Sequence, residues 1–416
     1  MRMIRYILVS FLFLTAAEQF FAQTNAVLLF HNDSLFREKH AYLEVSGLGA
    51  FGSDLIHNGF MEKMYLGGHI ADETIDELVG NASEQNRAGL DAKISMQWWD
   101  LSSGLFNDPC LQMTVGISTE NHGYVGFSQN MFSLLFRGNT AWAGEKRELG
   151  PFYAGYQAFQ KFSVGIVNQR TYSQYRLSFV SGQDYTSIHL RDASIYTTSA
   201  LDSIQLSYEG EMYRADPDKK GFGSGKGLGA AFDMDWNIPM KDNKGWFGIS
   251  AYNIGFIKWN GQTENYTLDS TFTWTGFDIG DLFDLDEDLS LPNLEDTIGY
   301  TMEQKSRWIA LPLDIRVRML RKLNDVFFVD AGIAVQPYQL SLPELRLAFG
   351  QDLKCGWQFT EQVLFGGYSG FRLGAGVRST ALKNFIFHLG SENILGWMGE
   401  DFRGRDISVS YTHLTL

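Results

Sequence analysis

The residues best placed by type and spacing to do chemistry form one acidic stretch. Asp284, Asp286, Asp288 and Glu295 occupy the first, third, fifth and twelfth places of a calcium-binding loop. The sixth place, where a glycine makes the sharp turn, is Leu289, and the ninth is Pro292. The stretch therefore reads as a solvated acidic loop, and no metal is expected. A second candidate is GSGKGLGAAFDMDWNI, Gly223 to Ile238. Its glycines could cradle a phosphate, but the Lys-Ser/Thr ending is missing, and Phe232, Met234, Trp236 and Ile238 alternate with Asp233, Asp235 and Asn237. Period two makes it a strand. The histidines show no His-Glu-x-x-His spacing and there is no Gly-x-Ser-x-Gly elbow. No catalytic residue and no cofactor are expected, and the chain does not read as an enzyme.

Charge of a different kind lies opposite apolar neighbours along several segments: Lys93, Arg176, Asp233, Asp235, Asp314, Arg316, Arg318, Asp330, Arg372 and Arg378. If the apolar phase meets lipid, these side chains line a lumen, because a Lys or Arg on the lipid face costs ~2–4 kcal/mol at mid-bilayer. They read first as a structural network of ion pairs and hydrogen bonds, and second as the wall of a substrate site. His388, between Phe387 and Leu389, joins the same lining.

The elements that must carry this phase are strands. Leu90–Trp98, Leu111–Ser118, Ile204–Glu209, Ile309–Met319, Phe327–Val335 and Phe371–Arg378 all alternate with period two. Short Gly, Asn and Asp turns such as Asp242–Gly245 and Lys322–Asp325 alternate with longer connections, the habit of up-and-down membrane barrels. The fold class expected is all-β: a transmembrane antiparallel β-barrel of about 14 strands. A soluble sandwich or propeller also alternates, but no blade-length period recurs, and Phe, Trp, Leu and Val crowd one phase throughout. Two stretches depart from it. Residues 66–80 and 127–137 read as short amphipathic helices, either plugging the lumen or lying in loops outside, and 278–303 is the acidic loop.

The first residues pair basic Arg2 and Arg5 with an apolar run from Tyr6 to Leu14 and small residues up to Ala22, a signal peptide over 1–22 with Ala17 as the other cleavage point. The barrel then occupies 23–416, and the outer membrane is the expected location. With 43 Gly, 8 Pro and 2 Cys the chain is no disulfide scaffold, and Cys110 and Cys355 are expected to be unpaired. A net charge of -14 without a basic stripe speaks against nucleic acid. Near the C-terminus Ile407, Val409 and Tyr411 alternate, then the apolar phase flips at Leu414 and Leu416, which puts the closing strand in question.

Three segments carry a resemblance: VSGLGAFGS (Val45–Ser53) with Asn58-Gly-Phe60, GISAYNIGFIKW (Gly248–Trp259) and LPLDIR (Leu311–Arg316). Together they resemble a family of exported Gram-negative outer-membrane barrels of unassigned function, similar in architecture to fatty-acid-transporter barrels and to barrels serving type nine secretion. The resemblance extends from about Phe36 to Trp397. It implies a monomer of about 14 strands with a partly occluded lumen, in contact with outer-membrane lipid. It also implies a role in binding or passing small hydrophobic molecules; the alternative, suggested by the acidic loop and the possible plug helices, is a barrel that anchors a secretion or surface partner protein without transport. If the reading is right, the chain requires detergent to leave the membrane fraction; recovery in the aqueous fraction points to a soluble binding module instead.

Overall fold

A computed structural model describes residues 41–100, 104–219, 221, 223–242, 244–275, 300–353, 355–382 and 384–415. The stretch expected to be a signal peptide, and most of the acidic loop with its calcium-like spacing, lie outside these residues. The strands in chain order are β1 (Ala41–Ser53), β2 (Asn86–Asp100), β3 (Leu111–Phe127), β4 (Lys146–Glu148), β5 (Phe152–Asn168), β6 (Ser173–Thr197) and β7 (Ile204–Arg214). Then come β8 (Gly227–Pro239), β9 (Gly245–Trp259), β10 (Glu264–Trp274), β11 (Tyr300–Gln304), β12 (Arg307–Ala310), β13 (Asp314–Lys322) and β14 (Phe327–Val335). The last five are β15 (Leu342–Leu353), β16 (Trp357–Gly367), β17 (Gly370–Leu382), β18 (Phe385–Ser391) and β19 (Arg405–Thr415).

Following antiparallel neighbours round the wall gives β1, β2, β3, β5, β6, β8, β9, β13, β14, β15, β16, β17, β18 and β19, which returns to β1: a closed barrel of 14 strands. The closing strand is continuous, pairing with β1 from Ala41↔Thr415 to Phe51↔Arg405, so the change of phase at Leu414 does not end it. Closure leaves the wall no free edge, and an edge is what a sheet in hydrocarbon cannot tolerate.

The other strands build outward from the wall. β6 is 25 residues long; Gln174–Gly182 pairs with β8 in the wall, and Thr186–Thr197 runs on beyond it to pair with β7. β10 and β11 continue that projecting sheet. The alternating Ile204–Glu209 is thus a strand of the projection, not of the wall. Ile309–Met319 also differs from a single strand: it breaks at 311–313 between β12 and β13. Pro312 has no N–H for the ladder, and Leu311 turns inward to pack with Phe159, Val180, Ile257 and Trp259.

Alternation sorts the side chains. Ile94, Met96, Leu177, Phe179, Phe256, Val317, Leu345, Leu347, Val363, Phe365, Phe387 and Val409 are exposed on the outer surface. Their polar neighbours, among them Lys161, Arg346, Gln362, Ser408 and Ser410, are buried within. A soluble protein does the reverse, and this inversion suits a solvent of hydrocarbon. Among the described residues no helix is long and apolar enough to cross a membrane.

One mouth has short turns, such as 169–172 and 323–326; at the other, long connections carry the helices. There α1 (Asn58–Leu66) ends at Gly67, whose φ of 81° starts the break before α2 (Asp72–Asn81). Residues 66–80 are therefore not one helix but the end of one, a gap and most of a second. α3 (Gln129–Arg137) is capped by Ser128, whose Oγ accepts the Met131 N–H at 3.0 Å. Phe60, Leu78 and Phe132 bring the three helices onto Phe127 at the end of β3. α1 also bonds the β18–β19 connection, Asn58 N–H donating to Phe402 O at 2.9 Å. That connection carries α4 (Leu395–Met398).

The expected cost of Leu347→Arg, halfway along β15, is about 2–4 kcal/mol in denaturant titrations of the barrel in vesicles. No cost would mean that this surface does not face hydrocarbon.

Candidate functional site

The interior is ordered in layers. Toward the long-loop mouth lies an apolar cluster of Phe159, Val180, Ile257, Trp259 and Leu311. Directly against it is a layer of charge built by neighbouring strands. Glu120 (β3) is fully buried, and its Oε1 lies 3.0 Å from Lys93 Nζ (β2) and 3.2 Å from Lys161 Nζ (β5). Lys161 reaches Asp233 (β8) at 2.9 Å, and Arg176 (β6) approaches the same carboxylate at 3.7 Å. His122 lies 2.6 Å from Asp91 through Nδ1 and stacks on Phe159 with ring centroids 5.7 Å apart.

Asn253 is the node of this layer. The β8–β9 register shifts between Phe232 and Met234, and opposite the shift Asn253 holds φ at 60°, unusual for a non-glycine residue. The bulge turns its side chain inward, where Oδ1 accepts from Lys161 Nζ at 2.6 Å and Nδ2 donates to Glu120 Oε2 at 3.1 Å. Its own N–H donates to Asp233 at 2.8 Å. Every charge in the layer thus has a counter-charge or a fixed dipole, the condition for burying charge at tolerable cost.

A second group fills the opposite wall. Arg372 pairs with Glu344 and lies 3.6 Å from Glu392, which is itself 3.9 Å from Arg346. Burial, then repulsion from Glu344, pushes Glu392 above the ordinary carboxylate range; it sits in the β18–β19 connection. Asp406 accepts from Ser391 Oγ and from the Glu392 and Asn393 N–H groups. Nearby, Tyr368 donates to Gln339 O and its ring lies over Gly89, where a Cβ would come within 2.0 Å of it.

Of the charged residues named from sequence, Lys93, Arg176 and Asp233 share the first group. Asp235 accepts from Ser250 Oγ at 2.7 Å and from the Tyr252 hydroxyl, and it lines one cavity with Arg318. Asp314 and Arg316 pair with each other, Nε to Oδ1 at 2.8 Å. Arg372 belongs to the second group. Asp330 is buried on β14 apart from both, and Arg378 lies buried toward the short-turn mouth in a cavity with Lys322 and Asp352. His388 is buried beside Arg378, its register partner.

Sequence reasoning missed Glu120, Lys161, His122, Asn253, Glu344, Glu392 and Asp406. Lys161 carried a signal: Phe159 and Phe162 flank it near the alternating Ser163 and Val164. Glu120 and His122 continue the polar phase of Leu111–Ser118, but Thr119 and Asn121 opposite them are polar too, so the stretch shows no contrast between its two faces. Cys110 and Cys355 are free thiols. Among the described residues no three His, Cys, Asp or Glu side chains converge as a ligand set.

Two cavities of about 80 and 100 Å³ flank the charge layers, one lined by Ser95, Gln97, Ser163 and Gln174 with Leu48 and Trp99, the other by Tyr368, Arg372 and Asp406 with Leu48 and Phe51.

A family of unknown function (DUF5723) matches residues 42–392, and the chain belongs to that family. A search of the curated proteins finds no match. Among solved structures the chain is similar to the TodX deltaS2S3 mutant monoaromatic hydrocarbon channel, at 7% identity over 92% of both chains with a TM-score of 0.45. It is also similar to the P. putida toluene transporter TodX, at 7% over 91% of both and 0.41. A Pseudomonas aeruginosa FadL homologue matches at 9%, 91% of both and 0.41. At these scores the likenesses carry no weight beside the chain's own geometry.

Lys161→Met leaves Glu120 and Asp233 facing each other without their shared cation, and the expected loss is about 3–5 kcal/mol of folding stability. Arg191→Ala, at the half-exposed pair with Glu209, is expected to cost about 1 kcal/mol or less. Equal costs in denaturant titrations would show that the buried layer holds nothing together.

Proposed function

We propose, from membership of a family with no assigned activity, that this chain is an outer-membrane barrel with a closed lumen, working as an anchored platform for a secretion or surface partner. One observation carries the reading: Glu120, Lys161, Asp233 and Asn253 bond one another inside the barrel, and the two cavities of about 80 and 100 Å³ beside the charged groups carry charged and polar side chains among their apolar ones. A passage for small apolar molecules needs an apolar path, whereas this wall presents Lys, Arg, Glu, Asp, Ser and Gln. Moving an oily solute past it exposes paired charges to a solvent that cannot replace their partners.

The long-loop mouth supplies the surface that a platform requires. In barrels of this kind the short turns face the periplasm and the longer loops face outward. On that orientation the projecting sheet of β6, β7, β10 and β11, together with α1, α2 and α3, stands on the outer side. The reading includes export by the leader at 1–22 and a monomeric barrel.

Conductance across planar bilayers tests it. Purified, folded barrel is expected to pass no ions above the bare bilayer, and hydrophobic probes are expected to enter proteoliposomes no faster than empty vesicles. Open-channel current, or faster probe uptake, in the wild-type barrel contradicts a closed lumen and favours transport.

A further inference from the structure

The outer skin has one residue out of place. Along β16 the exposed phase reads Trp357, Phe359, Glu361, Val363, Phe365, so a carboxylate sits halfway up the strand on the surface that faces hydrocarbon. Its register partners are Phe349 on β15 and Ala375 on β17. Among the described residues no hydrogen bond or ion pair reaches Glu361. Other charged residues on the outer phase, such as Lys258 on β9 and Arg321 on β13, stand at strand ends, where a long side chain can reach water. Glu361 has neither the position nor the length for that.

A charge held within a membrane and answered by nothing in its own chain points to a partner. The surface next to it is shaped for one. A groove of about 420 Å³ runs from Phe359 over Ala375 and Val377 to Leu389 and Ile407, so Ala375 joins it to Glu361. Trp397 of α4 roofs its end, fixed by an indole N–H that donates to Asp406 O at 2.8 Å. The groove is continuous with the lipid-facing skin, yet a lipid chain filling it would leave the carboxylate without a donor.

A second copy fits poorly as well. Among its described residues the β15–β18 face offers Leu345, Leu347, Phe349, Val363, Phe371, Phe387 and Leu389 but no cation, so a two-fold contact that sets this face against itself would bring carboxylate toward carboxylate. We infer that the β15–β18 face docks a different membrane-embedded protein, which lays apolar side chains in the groove and offers Glu361 a Lys, Arg or hydroxyl donor at mid-membrane depth. The inference rests on the platform reading and adds a contact on the flank of the barrel to the surface at the outer mouth.

The test uses the full chain in its native cells, with a photo-crosslinking residue at Val363. The expected result is an adduct with one other membrane protein that is lost in Glu361→Leu and retained at least in part in Glu361→Gln, which can still accept a hydrogen bond. In purified form, Glu361→Leu is expected to raise the denaturant midpoint of the isolated barrel, because the carboxylate serves the partner and not the fold. Adducts with lipid alone, with a second copy, with a small apolar ligand, or with a protein captured regardless of residue 361 each overturn the proposal. An unchanged or lower midpoint removes its premise. A conducting wild-type barrel would defeat the closed lumen without touching these outcomes.

Discussion

Hydrocarbon offers no hydrogen bonds, so every backbone N–H and C=O inside it must find a partner within the chain. For a sheet this means closure, and in this chain closure rests on one seam: β19 returning to β1 in register from Ala41↔Thr415 to Phe51↔Arg405. Once the wall is shut, alternation divides the side chains between lipid and interior without intermediate positions. The charges on one phase then have nowhere to go but inward.

The interior pays that bill with pairing. A 14-stranded wall could enclose water, but here neighbouring strands send Glu120, Lys161, Asp233 and Asn253 to one point, and others send Glu344, Arg372, Glu392 and Asp406 to another. Buried ion pairs of this kind rarely add much net stability over an apolar filling. Their effect is to make any rearrangement expensive, since separating one partner strands the other. The bulge at Asn253, with its positive φ, is the local backbone cost of bringing a neutral amide to the centre of the layer.

Much of this was legible in the sequence, because a membrane wall writes its two faces residue by residue. Leu90–Trp98, Phe232–Ile238 and Phe327–Val335 could be assigned from period two alone, and a count of such candidates gave a total of about 14. Closure with 14 strands agrees with that count. The projecting sheet was not legible, since Ile204–Glu209 alternates as a wall strand does; only the 25-residue length of β6 lifts its partner clear of the wall. Nor was the break at Pro312, because Leu311 and Leu313 keep the apolar phase while the backbone leaves the ladder. Within the interior, Lys93, Arg176 and Asp233 stood out against apolar neighbours, but Glu120 and His122 did not, and contacts between distant strands leave no mark on either segment. The unbroken helix over 66–80 failed on Gly67, whose positive φ matters only once the chain is seen to turn there.

All of it depends on which face meets the lipid. The most direct measurement is methyl-detected NMR of the barrel in lipid nanodiscs, reading nuclear Overhauser contacts between side-chain methyls and acyl chains. Leu345, Leu347, Val363 and Leu389 are expected to show strong contacts with the chains, and Leu320 and Leu364, at 2% and 0% exposure, none. Acyl contacts at Leu320 and Leu364, with water contacts at Leu345 and Leu347, would contradict the account.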